Sequence, residues 1–432
     1  MGSPRSVERG DIRYTLVLDG GLQSGGRHLG AVVDECGNWF VLYERTVSYF
    51  AAQPAGGASG NEYSTSSLLK VFPNGLFAWE RPVPVAWERP VGKPEGPSAM
   101  AQTLGLAVGS RGVAAVMTEV TERDERGGTS RRQPFELYLA DGTGVQATAD
   151  VGISSVDAVH EDRDSGGWWL QNGSRDRGAL VRGPRFEPRQ DDWSVVEEDI
   201  GLPVGVVHRR LDGIALADGG RAFLGIAPLD ERPRSQRVDG EEQAPDVRRF
   251  YVRQLVPPDA SGSAHLINLL VEDVSLCTAW GGLATHDERV FAAYGCEVYD
   301  RERQEGEQFS WWFRVVAFDA REQAWAWDAP EELRIYRVLA LPDGEVLVVG
   351  ARPAEEGSGG ILSLYLLDRT GELSWSRDYG DDPRVPQTWD WSVSHAALTP
   401  DGHVLVGATL DDQSAAAGAM RKYWVGEFKW AD

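Results

Sequence analysis

The feature that constrains this chain most is a strand–turn–strand unit that returns along nearly its whole length. Between Ile361 and Leu410 the sequence reads ILSLYLLDRTGELSWSRDYG, a longer loop, and then WSVSHAALTPDGHVLVGATL. Alternation of period two marks four strands: LSLYLLD turns through Arg-Thr-Gly into ELSWSRD, and SVSHAALT turns through Pro-Asp-Gly into HVLVGAT. In such tight turns glycine supplies a positive φ, and Asp or Asn bonds back to the backbone. The same order recurs upstream in WFRVVAFDAREQAWAWDAP with YRVLALPDGEVLVVGAR (Trp312–Arg352) and in FYVRQLVPPDASGSAHLINLL with AWGGLATHDERVFAAYGC (Phe250–Cys296). More degenerate copies surround LDGIALADGGRAFLGIA (Leu211–Ala227), FELYLADGTGVQATAD and SLLKVFPNGLFAWERPV. A period of this kind means a repeat architecture.

The opening 47 residues supply three strands, RYTLVLDG, HLGAVVDE and NWFVLYER, while a lone strand, YWVGEFKW (Tyr423–Trp430), is left at the far end. Six full units, a three-strand start and one final strand make seven sets of four. The expected fold is therefore all-β: a seven-bladed β-propeller with four-stranded antiparallel blades, closed by pairing the C-terminal strand with the first blade. Six or eight blades remain open. Closure removes the sheet edges that otherwise template aggregation. Residues 1–10 are expected as a disordered or vector-derived start and residues 11–432 as a single propeller domain.

Two stretches, DRTGELSW (Asp368–Trp375) and FPNGLFAW (Phe72–Trp79), follow or approximate Asp-x-x-Gly-x-x-x-Trp. That pattern resembles the docking motif of quinoprotein-type propeller repeats, and DAREQAWAW is a variant without the glycine. The later half, A-x-x-PDG-x-x-LV-x-G, is similar to WD-like repeats of many uncharacterised bacterial propellers. The resemblance implies architecture rather than chemistry, since such proteins range from dehydrogenases to assembly scaffolds. The quinone-binding residues of the enzymes find no matching motif, so no cofactor is expected.

Composition narrows the function classes. Sixteen tryptophans call for an architecture that repeatedly buries a large ring, and 50 glycines with 23 prolines suit short strands and turns. A net charge of −23 repels a phosphate backbone, so nucleic acid is not an expected partner, and an anionic membrane surface is disfavoured likewise. The same charge keeps a large β surface soluble and monomeric. No apolar run approaches the ~20 residues needed to span a bilayer. The start, MGSPRSVERG, lacks a signal-peptide apolar segment, though it loosely fits an acylation pattern. The compartment stays open: cytoplasm on that reading, envelope or exterior if the N-terminus is truncated. Of Cys36, Cys277 and Cys296, the last two fall nearly opposite on paired strands, where a bridge is one alternative.

In four-stranded units the connections alternate between two faces. First-to-second and third-to-fourth turns are short (PNG, DRTG, LPDGE, TPDGH), whereas second-to-third loops and links between units are long, as in SYFAAQPAGGASGNEYSTS, TERDERGGTSRRQP and LDERPRSQRVDGEEQAPD. Loops beyond ~12–15 residues are uncommon unless functional or disordered. The long-loop face is therefore the expected binding face. Its candidate residues are Trp87, Asp381, Asp382, Trp389 and Trp391, exposed aromatics near carboxylates that could anchor a protein partner or stack on a sugar ring. For Trp389 and Trp391 the alternative is that one simply packs between blades. Trp325 and Trp375 are expected to be structural.

No catalytic constellation is expected. The seven histidines stand singly with no metal-ligand spacing, so no metal site is assigned. SRDYG (Ser376–Gly380) lacks the Thr-Trp ending of a sialidase-type box, and DRDSG (Asp162–Gly166) lacks the distal acidic ligand of a calcium loop. The leading expectation is a non-enzymatic binding or scaffold propeller engaging a protein partner through the long-loop face. The alternative is a carbohydrate-binding or carbohydrate-cleaving propeller using Trp and carboxylate residues of that face. A quinone- or metal-dependent oxidoreductase stands third.

Overall fold

The computed structural model describes residues 8–22, 30–52, 58–83, 99–108, 114–123, 128–132, 135–138, 144–148, 158–162, 167–172, 179–183, 194–197, 209–217, 221–228, 248–256, 265–274, 279–287, 289–299, 309–319, 322–330, 332–353, 360–386, 390–412 and 420–430. Among these the chain is all-β. Strand β1 (Ile12–Leu22) stands alone in sequence. The next four are β2 (Gly30–Val33), β3 (Trp39–Ala52), β4 (Ala58–Val71) and β5 (Phe77–Val83). Then come β6 (Ala99–Val108), β7 (Ala114–Arg123), β8 (Thr129–Arg132), β9 (Phe135–Tyr138) and β10 (Gly144–Thr148). They are followed by β11 (Ala158–Asp162), β12 (Gly167–Asn172), β13 (Ala179–Gly183) and β14 (Ser194–Glu197). The middle of the chain gives β15 (Arg209–Ala217), β16 (Arg221–Pro228), β17 (Arg248–Val256) and β18 (His265–Val274). After it lie β19 (Ala279–His286), β20 (Arg289–Tyr299), β21 (Phe309–Asp319) and β22 (Glu322–Asp328). The last strands are β23 (Arg334–Ala340), β24 (Val346–Pro353), β25 (Gly360–Leu367), β26 (Leu373–Asp378), β27 (Asp390–Leu398), β28 (Val404–Asp412) and β29 (Met420–Phe428).

Hydrogen bonding groups consecutive strands in fours, the antiparallel form that propeller blades take. Four separate four-stranded sheets run β11–β14, β15–β18, β19–β22 and β23–β26, and a fifth sheet orders β10-β9-β7-β6 with β8 on β7. The remaining strands form one eight-stranded sheet, β27-β28-β29-β1-β3-β4-β5 with β2 on β3. Its two halves join through a single parallel bridge, Gly21 to Thr46. Neighbouring sheets touch in chain order, mostly through their first strands: β2 meets β6, β6 meets β11, β15 meets β19, β19 meets β23, β23 meets β27 and β27 meets β2, while β15 is met by β12, the second strand of its sheet.

The repeat expected from the sequence is shifted by two strands. The unit Ile361–Leu410 divides between sheets, because β25 pairs with β24 (Val346 to Leu367 through Pro353 to Gly360) and β27–β28 belong with β29. Turn residues mark every hairpin alike and cannot say which hairpin opens a sheet. The pairings decide: β24 and β25 are hydrogen-bonded neighbours across residues 354–359, whereas residues 379–389 carry the chain to the next sheet. The shift leaves the alternation of short and long connections unchanged. The opening strand also moves. RYTLVLDG does not pair with HLGAVVDE; β1 runs antiparallel along β29 from Ile12–Phe428 to Leu22–Met420, at the outer edge of β27-β28-β29.

Five described turns share one geometry. Asp34, Phe72, Leu341, Asp368 and Thr399 each donate the N–H to the carbonyl four residues on and accept from the glycine three residues on. Those glycines, Gly37, Gly75, Gly344, Gly371 and Gly402, hold φ between 78° and 85°, the left-handed conformation of a type I turn followed by a glycine bulge. The two chain ends rebuild this turn without a peptide bond through it. Lys429 N–H donates to Asp11 O at 2.8 Å, Gly10 N–H donates to Lys429 O at 2.7 Å, and Gly10 has φ 80°. Trp430 and Arg9 take the two middle positions, the guanidinium 5.4 Å from the indole centroid. Residues 8–10 thus belong to the folded body; residues 1–7 lie outside the described part.

The core sits as apolar layers between sheets. One layer gathers Leu347, Leu364, Val385, Trp391, Val406, Trp424 and Phe428, and another gathers Phe291, Phe313, Ile335, Val348 and Tyr365. A third joins the two ends of the chain, packing Trp39, Val41 and Leu69 on Leu405, Tyr423 and Val425. At the rim, an aromatic of one sheet seats on the turn glycine of the next. A Cβ on Gly371 would lie 2.6 Å from the Trp325 ring, one on Gly10 2.6 Å from Trp375, and one on Gly75 3.3 Å from Tyr14. Trp325 Nε1 also donates to Arg369 O at 3.0 Å. These contacts give the docking motif its physical meaning, and they place Trp325 and Trp375 as structural residues.

Candidate functional site

Of the residues singled out on the long-loop face, Trp87 and Trp389 lie outside the described residues. Trp391 is a core residue rather than a loop anchor: it is 4% exposed, and its ring meets Trp424 edge-on at 5.3 Å. Its carbonyl accepts from Tyr336 OH at 2.5 Å, so backbone and ring alike belong to the sheet interface. Asp381 is exposed. Asp382 is committed to a clamp. Arg384 donates to it through Nε at 2.9 Å and Nη2 at 2.7 Å, and that ion pair holds the carboxyl below its ordinary range. Arg384 Nη1 then reaches Ile12 O at 2.6 Å, and Trp424 Nε1 donates to Arg384 O at 3.0 Å. Residues 379–386 thus strap β1 to the last sheet. Arg377 adds a 2.7 Å bond to Asp11, and Tyr379 OH bonds Gly10 O at 2.7 Å. Sequence reasoning missed these roles, although Gly10 and Tyr14 repeat the Gly-x-x-x-aromatic spacing of Gly371 and Trp375.

The seam carries a buried carboxyl on β29. Glu427 on β29 is 2% exposed, with Oε1 3.4 Å from Arg13 Nη1 and Oε2 lacking any hydrogen-bond partner. Burial pushes its pKa up from 4.5 to about 7, against the pull of Arg13 and with a further push from Asp401. The folded state therefore holds a proton that the unfolded chain has released between pH 4.5 and 7. Stability from this group is complete below 4.5 and is lost as pH rises towards 7, a change on the order of 3 kcal/mol at most. Urea midpoints of wild type and Glu427→Gln, followed across that interval, should diverge steadily in the variant's favour. Parallel pH profiles would contradict the assignment.

What the long-loop end does display is β-ribbon. The β3–β4 hairpin pairs without a break from Trp39–Val71 to Ala52–Ala58, yet β2 covers it only to Leu42 and β5 only to Ser66. Residues 45–52 and 58–65 pair with each other beyond the reach of β2 and β5, a span of roughly 25 Å at 3.3 Å per residue, with β1 bridging the base of the ribbon from Gly21 to Thr46. The β20–β21 hairpin repeats this on a smaller scale: Cys296–Trp312 to Tyr299–Phe309 pair beyond the reach of β19 and β22. Both ribbons join the second strand of a sheet to the third, so they leave by the same end. Cys277 lies outside the described residues.

The opposite end is built of latched turns. A notch of about 340 Å³ there is bordered by His286, Asp287, Arg289, Asp319, Asp343 and Arg369. Arg289 forks onto Asp319 at 2.5 and 2.8 Å and reaches Arg369 O at 3.0 Å, and Arg369 Nε donates to Asp343 O. His286 Nε2 stands 3.3 Å from Asp287. Arg289 and Arg369 are spent on neighbouring turns, an arrangement that locks two sheets together. Among the described residues no group of three or more His, Cys, Asp or Glu could hold a metal, and no helix is long and apolar enough to cross a membrane.

With that geometry in hand, comparison with known proteins gives no family. No protein-family model matches the chain, and no curated protein matches it. Solved structures do resemble it in shape. Prolyl oligopeptidase B from Galerina marginata aligns with 90% of this chain and 49% of its own, at 12% identity and a TM-score of 0.48. The β-propeller domain of the trilobed protease from Pyrococcus furiosus, described as having an open velcro topology, aligns over 95% and 97% at 10% identity and 0.42. A GH74 enzyme of Niastella koreensis aligns over 89% and 49% at 12% identity and 0.44. This chain spans about half the length of the Galerina protein. The architecture rests on the strand pairings above.

Proposed function

We propose that the chain is a seven-bladed β-propeller closed by its own terminal strands, and that it acts as a non-enzymatic scaffold engaging a protein partner through the long-loop face. The closure reading is supported by the β1–β29 register, by the split turn at Gly10 and Lys429, and by sheet-to-sheet contacts that lead from β2 through β27 back to β2. The scaffold reading is carried by the β3–β4 ribbon. Beyond the Gly21–Thr46 bridge no other described strand pairs with the ribbon's backbone edges, and another chain can meet such edges by strand addition. The carbohydrate reading loses its support at Trp391, which is buried, and at Asp382, which is bound by Arg384.

The test is affinity capture from the native host with three baits: wild type, a chain in which residues 46–64 are replaced by an Asn-Gly turn, and His286→Ala on the latched face. A partner held by wild type and His286→Ala but reduced about tenfold or more with the shortened ribbon is the expected result. Retention by the shortened ribbon, with loss in His286→Ala, would place the working surface on the other end.

A further inference from the structure

The inner strands share an irregularity. β6, β15, β19, β23 and β27 each slip register against their neighbour at one residue, between Thr103 and Gly105, Leu211 and Gly213, Trp280 and Gly282, Ile335 and Arg337, and Val393 and His395. The residue after the bulge is glycine in the first three. At Gly282 the reason is visible: φ is 116°, and a Cβ would lie 3.3 Å from Val338 N and 3.5 Å from Arg337 Cα. Glycine there lets the next inner strand approach backbone to backbone. On β23 the same position carries Arg337, and on β27 it carries His395.

Arg337 fills this place in an unusual way. Its Nε and Nη2 donate to Ser394 O at 2.9 and 2.6 Å, and its Nη1 donates to Tyr336 O at 2.7 Å. Both acceptors are the carbonyls of bulged residues on β27 and β23. A guanidinium has five N–H donors, so these three bonds leave two. Among the described residues no carboxylate forms an ion pair with it, in a chain with 66 acidic against 43 basic residues. It is only partly covered, so water reaches it. Burial nonetheless lowers its pKa from 12.5 to about 10, with no acidic neighbour opposing the shift. A half-covered cation without a counter-charge keeps donors that an anion can complete. Arginine's planar fork suits carboxylate and phosphate oxygens.

We propose that Arg337, between inner strands β23 and β27, is the anchor of an oxyanion-binding site for a carboxylate or phosphate group of a small ligand. The two bulge carbonyls fix the guanidinium plane and leave two N–H groups for the incoming oxygens. The site is independent of the partner reading above, since it needs only the β23–β27 contact.

Inorganic phosphate and succinate serve as the two probes, titrated into the full chain at ionic strength held constant with chloride, with thermal unfolding and calorimetry as readouts. Saturable stabilisation of wild type by one probe is expected, and that probe names the source of the oxyanion. Arg337→Met, folded by circular dichroism, should bind about tenfold or more weakly, and Arg337→Lys should fall between, keeping the charge without the fork. An equal response in wild type and Arg337→Met, or none beyond the chloride control, overturns the site. So does failure of both variants to fold, because Arg337 would then be a strut between two carbonyls and nothing more.

Discussion

A chain lacking residues 1–22 will not reach the native fold. Strand β1 buries Ile12 in the layer of Trp391 and Trp424 and half-buries Tyr14, Leu16 and Leu18 against the layer that joins the two ends of the chain. At about 1.5–3 kcal/mol for each fully buried large apolar side chain, these four contribute on the order of 5 kcal/mol. The deletion also removes the β29 pairing, the Arg377–Asp11 bond and the Arg384 clamp on Ile12. A domain's whole stability is about 5–15 kcal/mol. The truncated chain should therefore lose its cooperative transition by circular dichroism and elute as aggregate, since β29 would become an open edge. A monomer melting within a few degrees of wild type would show that β1 is dispensable.

The second large effect falls on Trp424→Ala. This ring is fully buried, lies edge-on to Trp391 at 5.3 Å and tilted to Phe428 at 6.0 Å, and donates Nε1–H to Arg384 O. It also fills the space beside Gly426, where a Cβ would stand 2.1 Å from the indole. Truncation leaves a cavity in the layer between the last two sheets and frees the strap that carries Arg384. Large buried aromatics replaced by alanine lose about 3–5 kcal/mol. Urea unfolding should show a midpoint drop of that size with an unchanged slope. Asp381→Ala, at an exposed position, is the matched control and should stay within ~0.5 kcal/mol of wild type. Equal midpoints for the two variants would mean that the Trp424 layer contributes little.

Much of this was legible in the residues. Strand identity and hairpin turns followed from period-two alternation and from Pro-Asp-Gly and Asp-Arg-Thr-Gly, and those turns carry the positive-φ glycines expected of them. That Tyr423–Trp430 would meet the opening segment was readable because that strand alone was left over in the count, but it was expected to complete a three-strand first blade, whereas β1 itself lies along β29 at the edge of β27–β29. The phase of the repeat was not. A turn motif reports the hairpin it closes and is silent about which neighbour the hairpin joins, so β25–β26 were grouped with β27–β28 rather than with β23–β24. Burial at a single aromatic was equally hidden. Trp391 follows a polar loop in sequence, yet the pleat turns its ring inward beside Val393. The Arg337 position could be seen only once five bulges were aligned by register, since no local pattern distinguishes an arginine on an inner strand from one in solvent.

The central claim is that the two chain ends act as one turn of a continuous ring. Joining Trp430 directly to Arg9, with new termini opened in the 229–247 connection, restores the peptide bond that the Lys429–Trp430–Arg9–Gly10–Asp11 turn lacks. The ring account predicts that this circular permutant folds to the same circular-dichroism spectrum and unfolds at or above the wild-type temperature, because covalent closure lowers the entropy of the unfolded seam. A permutant that cannot fold, while the unpermuted chain opened by a nick in 229–247 still does, would show that the ends are not neighbours.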